Sequence, residues 1–342
     1  MPKTDTQKMQ PDQGLSLLES SQPKPLVTFI IVAFNQANYI VEAIDGALAQ
    51  TYAPLEIIIS DDCSTDHTYD LILQKVAEYT GPHKVQVIRN DSNLGLARHL
   101  NAVLSRASGE IITWAAGDDI ALPQRTETFV SMILDQEDIV AAHSAVLEMD
   151  EAGNPLRTRM HSDDVRDIAM ANVLEKGISI VTQSCAFHRI LLDRFGPFSD
   201  QLTNEGKAMA FRVAATGHIC YVETPLTRYR IGTGVSTYAG QDVLRLKWHE
   251  PIKITKWYLS AYKQMLADSQ HIDMQDAHLA IRTKILKQIK FYENLYKINT
   301  GAGLVGPLIS NVIAKPADRR SLRAALRRIA PISLYRRRKT LP

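Results

Sequence analysis

Residues 110–125, EIITWAAGDDIALPQR, decide how the rest of the chain is read. The run Ile111-Ile112-Thr113-Trp114, rich in β-branched and aromatic residues, predicts a buried strand. It stops at small residues, and Asp118 and Asp119 follow before Pro123 closes the turn. In open α/β sheets ligands sit at the carboxyl ends of the strands, so this strand brings negative charge to the place where a ligand would bind. Carboxylates there suit a hard divalent cation that bridges them to phosphate oxygens. The alternative is that the aspartates cap the next helix, with Pro123 at its first position.

The preceding sequence repeats the same arrangement. Leu26 to Val32 is a continuous apolar run of strand length, as expected for a parallel strand covered on both faces, and a helical period follows through Ile40, Ala43, Ile44, Ala47 and Leu48. Leu55 to Ser60 is a second strand, followed by the acidic loop Asp61-Asp62-Cys63-Ser64-Thr65-Asp66 and a helix through Leu71, Ile72, Val76 and Tyr79. A third strand, Lys84 to Ile88, leads through Asn93–Arg98 to a helix carrying Leu100, Val103 and Leu104. Strands and helices alternating at this spacing mean parallel βαβ units. The loop Ala33–Asn38 has no glycine and no G-x-x-x-x-G-K-[ST] occurs, which argues against dinucleotide and P-loop sites.

After residue 125 the sequence predicts a helix to about Asp135, a strand from Ile139 to Leu147, a turn at 150–155, and a strand over Ile178 to Phe187. His161-Ser162-Asp163-Asp164 is a weak metal-like group, more simply a solvated loop. Thr203–Arg212 reads as a helix start with Glu205 where the helix dipole favours a carboxylate. Strand His218–Glu223 and the segment Pro225–Arg230 complete the compact part. Beyond about Tyr238 helical periods take over, at Leu244 and Trp248 and then from Ile281 to Tyr296, ending at Gly301.

The 342 residues are 45% hydrophobic, enough for a sizeable core. Cys63, Cys185 and Cys220 are odd in number and far apart, so neither a disulfide framework nor a zinc site is expected. Residues 1–24 are polar and read as a disordered lead, without a signal-peptide core, and no later run approaches the roughly 20 apolar residues of a membrane span. A cytoplasmic protein, peripheral on the inner face of the plasma membrane, is the expectation. Net charge is +2, but residues 315–342 hold ten Lys or Arg against Asp318 alone. Leu322, Leu326 and Ile329 share one face of this tail, which suits an anionic membrane surface. Nucleic acid is not expected, because Tyr335 is the only aromatic residue among these cations.

Five blocks in order, VTFIIVAFNQANYI, EIIISDDCSTDHT, NLGLARHLNAVLSRASGEIITWAAGDDIALPQR, NEGKAMAFRVAATG and PLTRYR, resemble the inverting family 2 glycosyltransferases with a GT-A fold, of the kind that builds bacterial cell-surface polysaccharide. The resemblance covers roughly residues 25–237. It implies an α/β, Rossmann-like fold with a mostly parallel sheet sandwiched by helices. A helical extension (238–314) and a basic amphipathic tail (315–342) would follow. It assigns Phe34, Asn35, Asp61 and Asp62 to the base and ribose of a nucleoside-diphosphate sugar, most simply a UDP-sugar, and Arg98 to its diphosphate. Asp118, with Asp119 second, would hold Mg²⁺ or Mn²⁺. The acceptor would be a glycan or a lipid-linked hydroxyl.

The family's base is the aspartate in E-D-x-x-x-x-x-R-x-x-x-x-G. Glu205, Arg212 and Gly217 fall on that frame, Gly206 takes the base position, and Arg230 closes the last block. The resemblance therefore leaves three readings open: a transferase working slowly or through Glu205, a nucleotide-sugar-binding homologue without turnover, and, more remotely, a nucleotidyltransferase. The helix start is expected to accept an aspartate at 206, whose charge would complement the dipole.

Overall fold

The computed structural model describes residues 23–160, 168–233, 251–272 and 275–300. The strands are β1 (Val27–Ala33), β2 (Leu55–Asp61), β3 (Lys84–Arg89), β4 (Ile111–Ala116), β5 (Ile120–Ala121), β6 (Ile139–Met149), β7 (Pro155–Arg159), β8 (Cys185–His188) and β9 (His218–Arg230). The helices are α1 (Ile40–Leu48), α2 (Thr68–Ala77), α3 (Leu96–Leu104), α4 (Arg125–Leu134), α5 (Met170–Lys176), α6 (Ile190–Phe195), α7 (Glu205–Thr216), α8 (Pro251–Asp268) and α9 (Gln275–Thr300).

The apolar runs become parallel strands in the order β3-β2-β1-β4, and β8, β6, β9 and β5 extend the same sheet. β8 is antiparallel to β4 and β6, while β9 runs parallel to β6. Alternate residues of each central strand face opposite layers. Ile30, Ile58, Ile112 and Trp114 pack toward α3, α7, α8 and α9, whereas Phe29, Ile31, Ile57 and Ile59 pack toward α1 and α4. Burial on both faces explains why β1, β2 and β4 read as unbroken apolar runs. The chain is thus α/β with helices on both faces and a helical pair after the sheet.

Three expectations change. The predicted strand over 178–187 is short: a 3-10 turn, Thr182–Ser184, precedes β8, and its Thr182 and Ser184 are buried. The two predicted segments 218–223 and 225–230 form one strand, because shifts in pairing register with β6 carry β9 past Pro225. Helix α8 lies between the two helical periods read from sequence. Leu244 and Trp248 fall outside the described residues, as do His161–Asp164 and the tail 315–342.

Helix α8 is fixed to α7 by a buried ion pair. Arg212 on α7 donates from Nε to Asp268 Oδ2 at 2.9 Å and from Nη2 to Oδ1 at 3.1 Å, and Gln264 Nε2 donates to the same Oδ1 at 2.8 Å. The guanidinium lies 4.6 Å from the Phe198 ring centroid. Removing one partner of a buried pair strands the other charge, a loss of about 3–5 kcal/mol. Asp268→Ala is therefore expected to lower unfolding free energy by about that amount in urea titration, whereas Lys284→Ala, which breaks the exposed contact with Glu175, should leave it unchanged within the error of the titration.

Candidate active site

Backbone bonds between neighbouring strand ends gather the sequence-predicted residues at one edge of the sheet. Asp62 N donates to Ala33 O at 2.8 Å, and Gly117 N donates to Val32 O at 3.0 Å, so the loops after β1, β2 and β4 meet. Asn35 has a left-handed φ of 52°. Its backbone N–H donates to Ser64 Oγ at 2.9 Å and its side-chain oxygen accepts from Thr65 N at 2.8 Å. Those bonds account for an αL asparagine and leave Asn35 as a clasp between two loops. Phe34 beside it is 42% exposed, a large apolar ring held at the strand end.

The acids after β2 differ in what they have left to offer. Asp62 accepts from Asn90 Nδ2 at 2.8 Å, Leu94 N at 2.9 Å and Gly95 N at 3.0 Å, so it secures the β3–α3 loop. Asp61 Oδ2 accepts from Ser64 N at 3.0 Å and lies 3.3 Å from Arg89 Nε. Its Oδ1 is buried and makes no hydrogen bond among the described residues. Of the two, Asp61 retains the unused acceptor. Arg98, in the first turn of α3, is exposed and donates from Nε to Leu94 O at 2.9 Å.

After β4, Asp118 and Asp119 are both buried. Neither caps α4, whose N-cap is Gln124, so the capping alternative does not hold. Asp119 Oδ1 accepts from Arg230 N at 2.9 Å, and Arg230 Nε donates to Asp118 O at 3.1 Å. The remaining guanidinium donors reach Asp150 O, Glu151 O and Glu42 Oε2 at 3.2, 2.8 and 2.7 Å. Arg230 thus holds the acidic turn to β9. Arg125 lies behind it, fully buried, donating from Nη2 to Thr113 Oγ1 at 2.8 Å and Trp114 O at 2.9 Å. Burial pushes its pKa down to about 10, opposed by the charge of Asp119.

Asp118 Oδ2 accepts from Thr233 Oγ1 at 2.8 Å, and the Gln36 side chain also bonds to the carboxyl. Desolvation nevertheless raises the Asp118 pKa above the aspartate range. Asp119 is raised well above it, first by burial and then by the neighbouring Asp118 charge. Two buried carboxyls that resist ionisation together are an electrostatic setting a divalent cation satisfies. No group of three or more metal-ligating side chains occurs among the described residues. The donor set fits Mg²⁺-type binding through one carboxylate and the phosphates of a ligand, with Asp118 rather than the pinned Asp119 as the ligand.

Glu205 opens α7 behind the N-cap Asn204, whose side chain accepts from Lys207 N at 3.0 Å. Thr182 donates to Glu205 Oε1 at 2.9 Å, and the turn carrying Thr182 packs on β4 and β9. Burial raises the Glu205 pKa above the glutamate range, with the Thr182 bond acting in the opposite direction. The expected room for an aspartate at Gly206 is absent. A Cβ there would sit 2.2 Å from Ile180 O and 2.8 Å from Ser179 Oγ. Gly206 brings α7 against the segment before the turn, where Ile180 N donates to Gly206 O at 3.3 Å. Arg212 serves the α7–α8 contact described above. Sequence reasoning missed Gln36, Arg125, Thr182 and Thr233, none of which stands out by type or spacing.

The fold, a mostly parallel sheet with helices on both faces and acids at its strand ends, is of the GT-A type. Residues 28–195 match the family described as Glycosyl transferase family 2. It is 29% identical over 271 residues to an uncharacterized glycosyltransferase of Rickettsia felis, covering 76% of this chain and 42% of that protein. It is 33% identical over 129 residues to EpsE of Bacillus subtilis, covering 38% of this chain and 46% of that protein. The chain thus spans less than half the length of these two relatives. The crystal structure of S. aureus TarS 1–349 in complex with UDP-GlcNAc superposes with a TM-score of 0.58 at 16% identity, covering 89% of this chain and 82% of that one. At that identity the likeness is one of fold.

The Gly206 contact is with backbone and does not yield. Both Gly206→Asp and Gly206→Ala are expected to lower stability by about 1–3 kcal/mol in chemical denaturation. Equal loss in the two variants identifies sterics as the cause, and an alanine variant as stable as wild type would refute the close approach.

Proposed function

We propose that the chain transfers a sugar from a nucleoside-diphosphate sugar to an acceptor hydroxyl by single displacement, inverting the anomeric configuration, with Glu205 as general base. The observation that carries this reading is the pair of buried carboxyls that flank one turn. Asp118 follows β4, and Glu205 opens α7 bonded to Thr182, whose turn packs on β4 and β9. Phe34 offers an exposed ring for the nucleobase to stack on, and Asp61 Oδ1 an acceptor for a base N–H or ribose hydroxyl. Arg98, exposed in the first turn of α3 and bonded to Leu94 O of the loop that Asp62 holds, is the cation we assign to the diphosphate. We favour a UDP-sugar, the donor class present in the TarS complex.

Asp118 would hold Mg²⁺ or Mn²⁺, which when bound supplies positive charge to the diphosphate as it leaves. Glu205 takes the acceptor proton. Its raised pKa makes it a stronger base than an exposed glutamate, while Thr182 fixes the carboxyl. Gly206 is set by packing, so the missing aspartate carries no information against turnover. The acceptor we favour is a glycan or lipid-linked hydroxyl in cell-surface polysaccharide or glycolipid synthesis. The basic segment 315–342 would keep the chain on an anionic membrane on the cytoplasmic side.

Calorimetry with UDP and Mn²⁺ tests the donor site. Asp118→Ala is expected to abolish metal-dependent binding with the fold intact, and an unchanged affinity would remove Asp118 from the site. Donor hydrolysis or transfer tests the base. Glu205→Gln should lower kcat by roughly 10²–10⁴ with UDP affinity about the same. The carboxylate is the active form, so wild-type kcat/KM should rise with pH through a midpoint above the ordinary glutamate pKa of about 4.3. A glutamine variant as fast as wild type would exclude Glu205.

A further inference from the structure

Helices α8 and α9 pack on each other and, through α8, on α7. The inward side of α9 is apolar, with Ile285, Ile289 and Phe291 buried. The opposite side is not the polar face expected of a solvated helix. Leu279 is 68% exposed and Leu286 is 47% exposed, seven residues apart and therefore two turns apart on one stripe. Thr283, Lys287, Lys290 and Lys297 are exposed on the same side of the helix. Glu293, the acid beside this stripe, lies 3.9 Å from Lys263 of α8. Together the two helices hold eight Lys or Arg against three acids, and one of those acids, Asp268, is spent inside on Arg212. No helix of the described residues is long and apolar enough to cross a membrane.

We propose that this outward face of α9, with the adjoining basic residues of α8, is a docking surface for an anionic lipid bilayer. The two leucines would enter the headgroup boundary, and the lysines would lie among lipid phosphates. The proposal deepens the membrane reading given above and rests on it. It moves the contact from the tail alone to a folded surface, and a folded surface sets orientation. The Arg212–Asp268 pair and the Lys207 ammonium, 4.2 Å from the Tyr258 ring centroid, join α8 to the helix that begins with Glu205. Docking through α9 therefore holds Glu205 at a fixed attitude to the lipid, as reaction with a lipid-linked hydroxyl requires. Nucleic acid fits the face less well, because leucines rather than exposed aromatic rings stand between the lysines.

The test uses the full chain and co-sedimentation with vesicles of phosphatidylcholine, with and without phosphatidylglycerol. Wild type should partition onto the anionic vesicles at moderate salt. Lys287→Glu/Lys290→Glu and, separately, Leu279→Ser/Leu286→Ser should each reduce that partitioning at least about tenfold. Both pairs are exposed, so circular dichroism should be unchanged. UDP binding by calorimetry should also be unchanged, which separates failure of this surface from failure of the donor site. Three results would overturn the proposal. The leucine pair could partition like wild type, wild type could bind neutral and anionic vesicles equally, or a single-stranded oligonucleotide could bind the face and displace the vesicles.

Discussion

Two aspartates withdrawn from water side by side set the main constraint on this fold. Ionising both in a low-dielectric site is costly, and the protein surrounds them with charge rather than with solvent. Arg230 approaches from β9 and Arg125 from α4, and both are buried. The guanidinium of Arg230 also collects Glu42 from α1 and two carbonyls from the β6–β7 turn. One arginine therefore ties β9, α1 and the β6–β7 turn to the acidic turn. The long β9, which runs past Pro225 despite a broken register with β6, can be understood as the strand that brings Arg230 and then Thr233 to that turn.

The second constraint is the contact at Gly206. Helix α7 approaches the segment before β8 so closely that its second residue has no space for a side chain. The same approach brings Glu205, one position earlier, to Thr182. A base at 206 and this packing are mutually exclusive. The carboxyl displaced by one residue is the one that the packing itself orients and desolvates. The frame arginine is likewise put to structural use, since Arg212 anchors the helical pair.

The parallel strands through β4 were legible because each central strand is buried on both faces and so shows as an uninterrupted apolar run ending in acid or small residues. Periodicity also located α1 to α4 and α9. It did not reveal α8, where Lys253, Lys256 and Lys263 alternate with apolar residues whose partners are distant in sequence. The segment 178–184 looked like a strand because it is apolar and β-branched, yet its burial comes from packing beneath α7 rather than from pairing. In the site, the acids could be found by their position after strands. Which acid was already committed could not, since the bonds of Asp62 go to residues about thirty positions away.

Arginines show most clearly what a linear reading leaves open. Arg98, Arg125, Arg212 and Arg230 all lie in stretches that carry the resemblance, and charge alone makes each a candidate for phosphate. Burial and geometry divide them. Arg125 and Arg212 are wholly enclosed and face backbone or Asp268, and Arg230 spends its donors on the chain. Arg98 alone of the four is exposed. A guanidinium in water can exchange its hydration for a ligand's phosphate oxygens, whereas one already bonded inside the protein would first have to break the contacts that hold the fold. The division commits three of these arginines to holding the fold and leaves the Arg98 guanidinium at the surface.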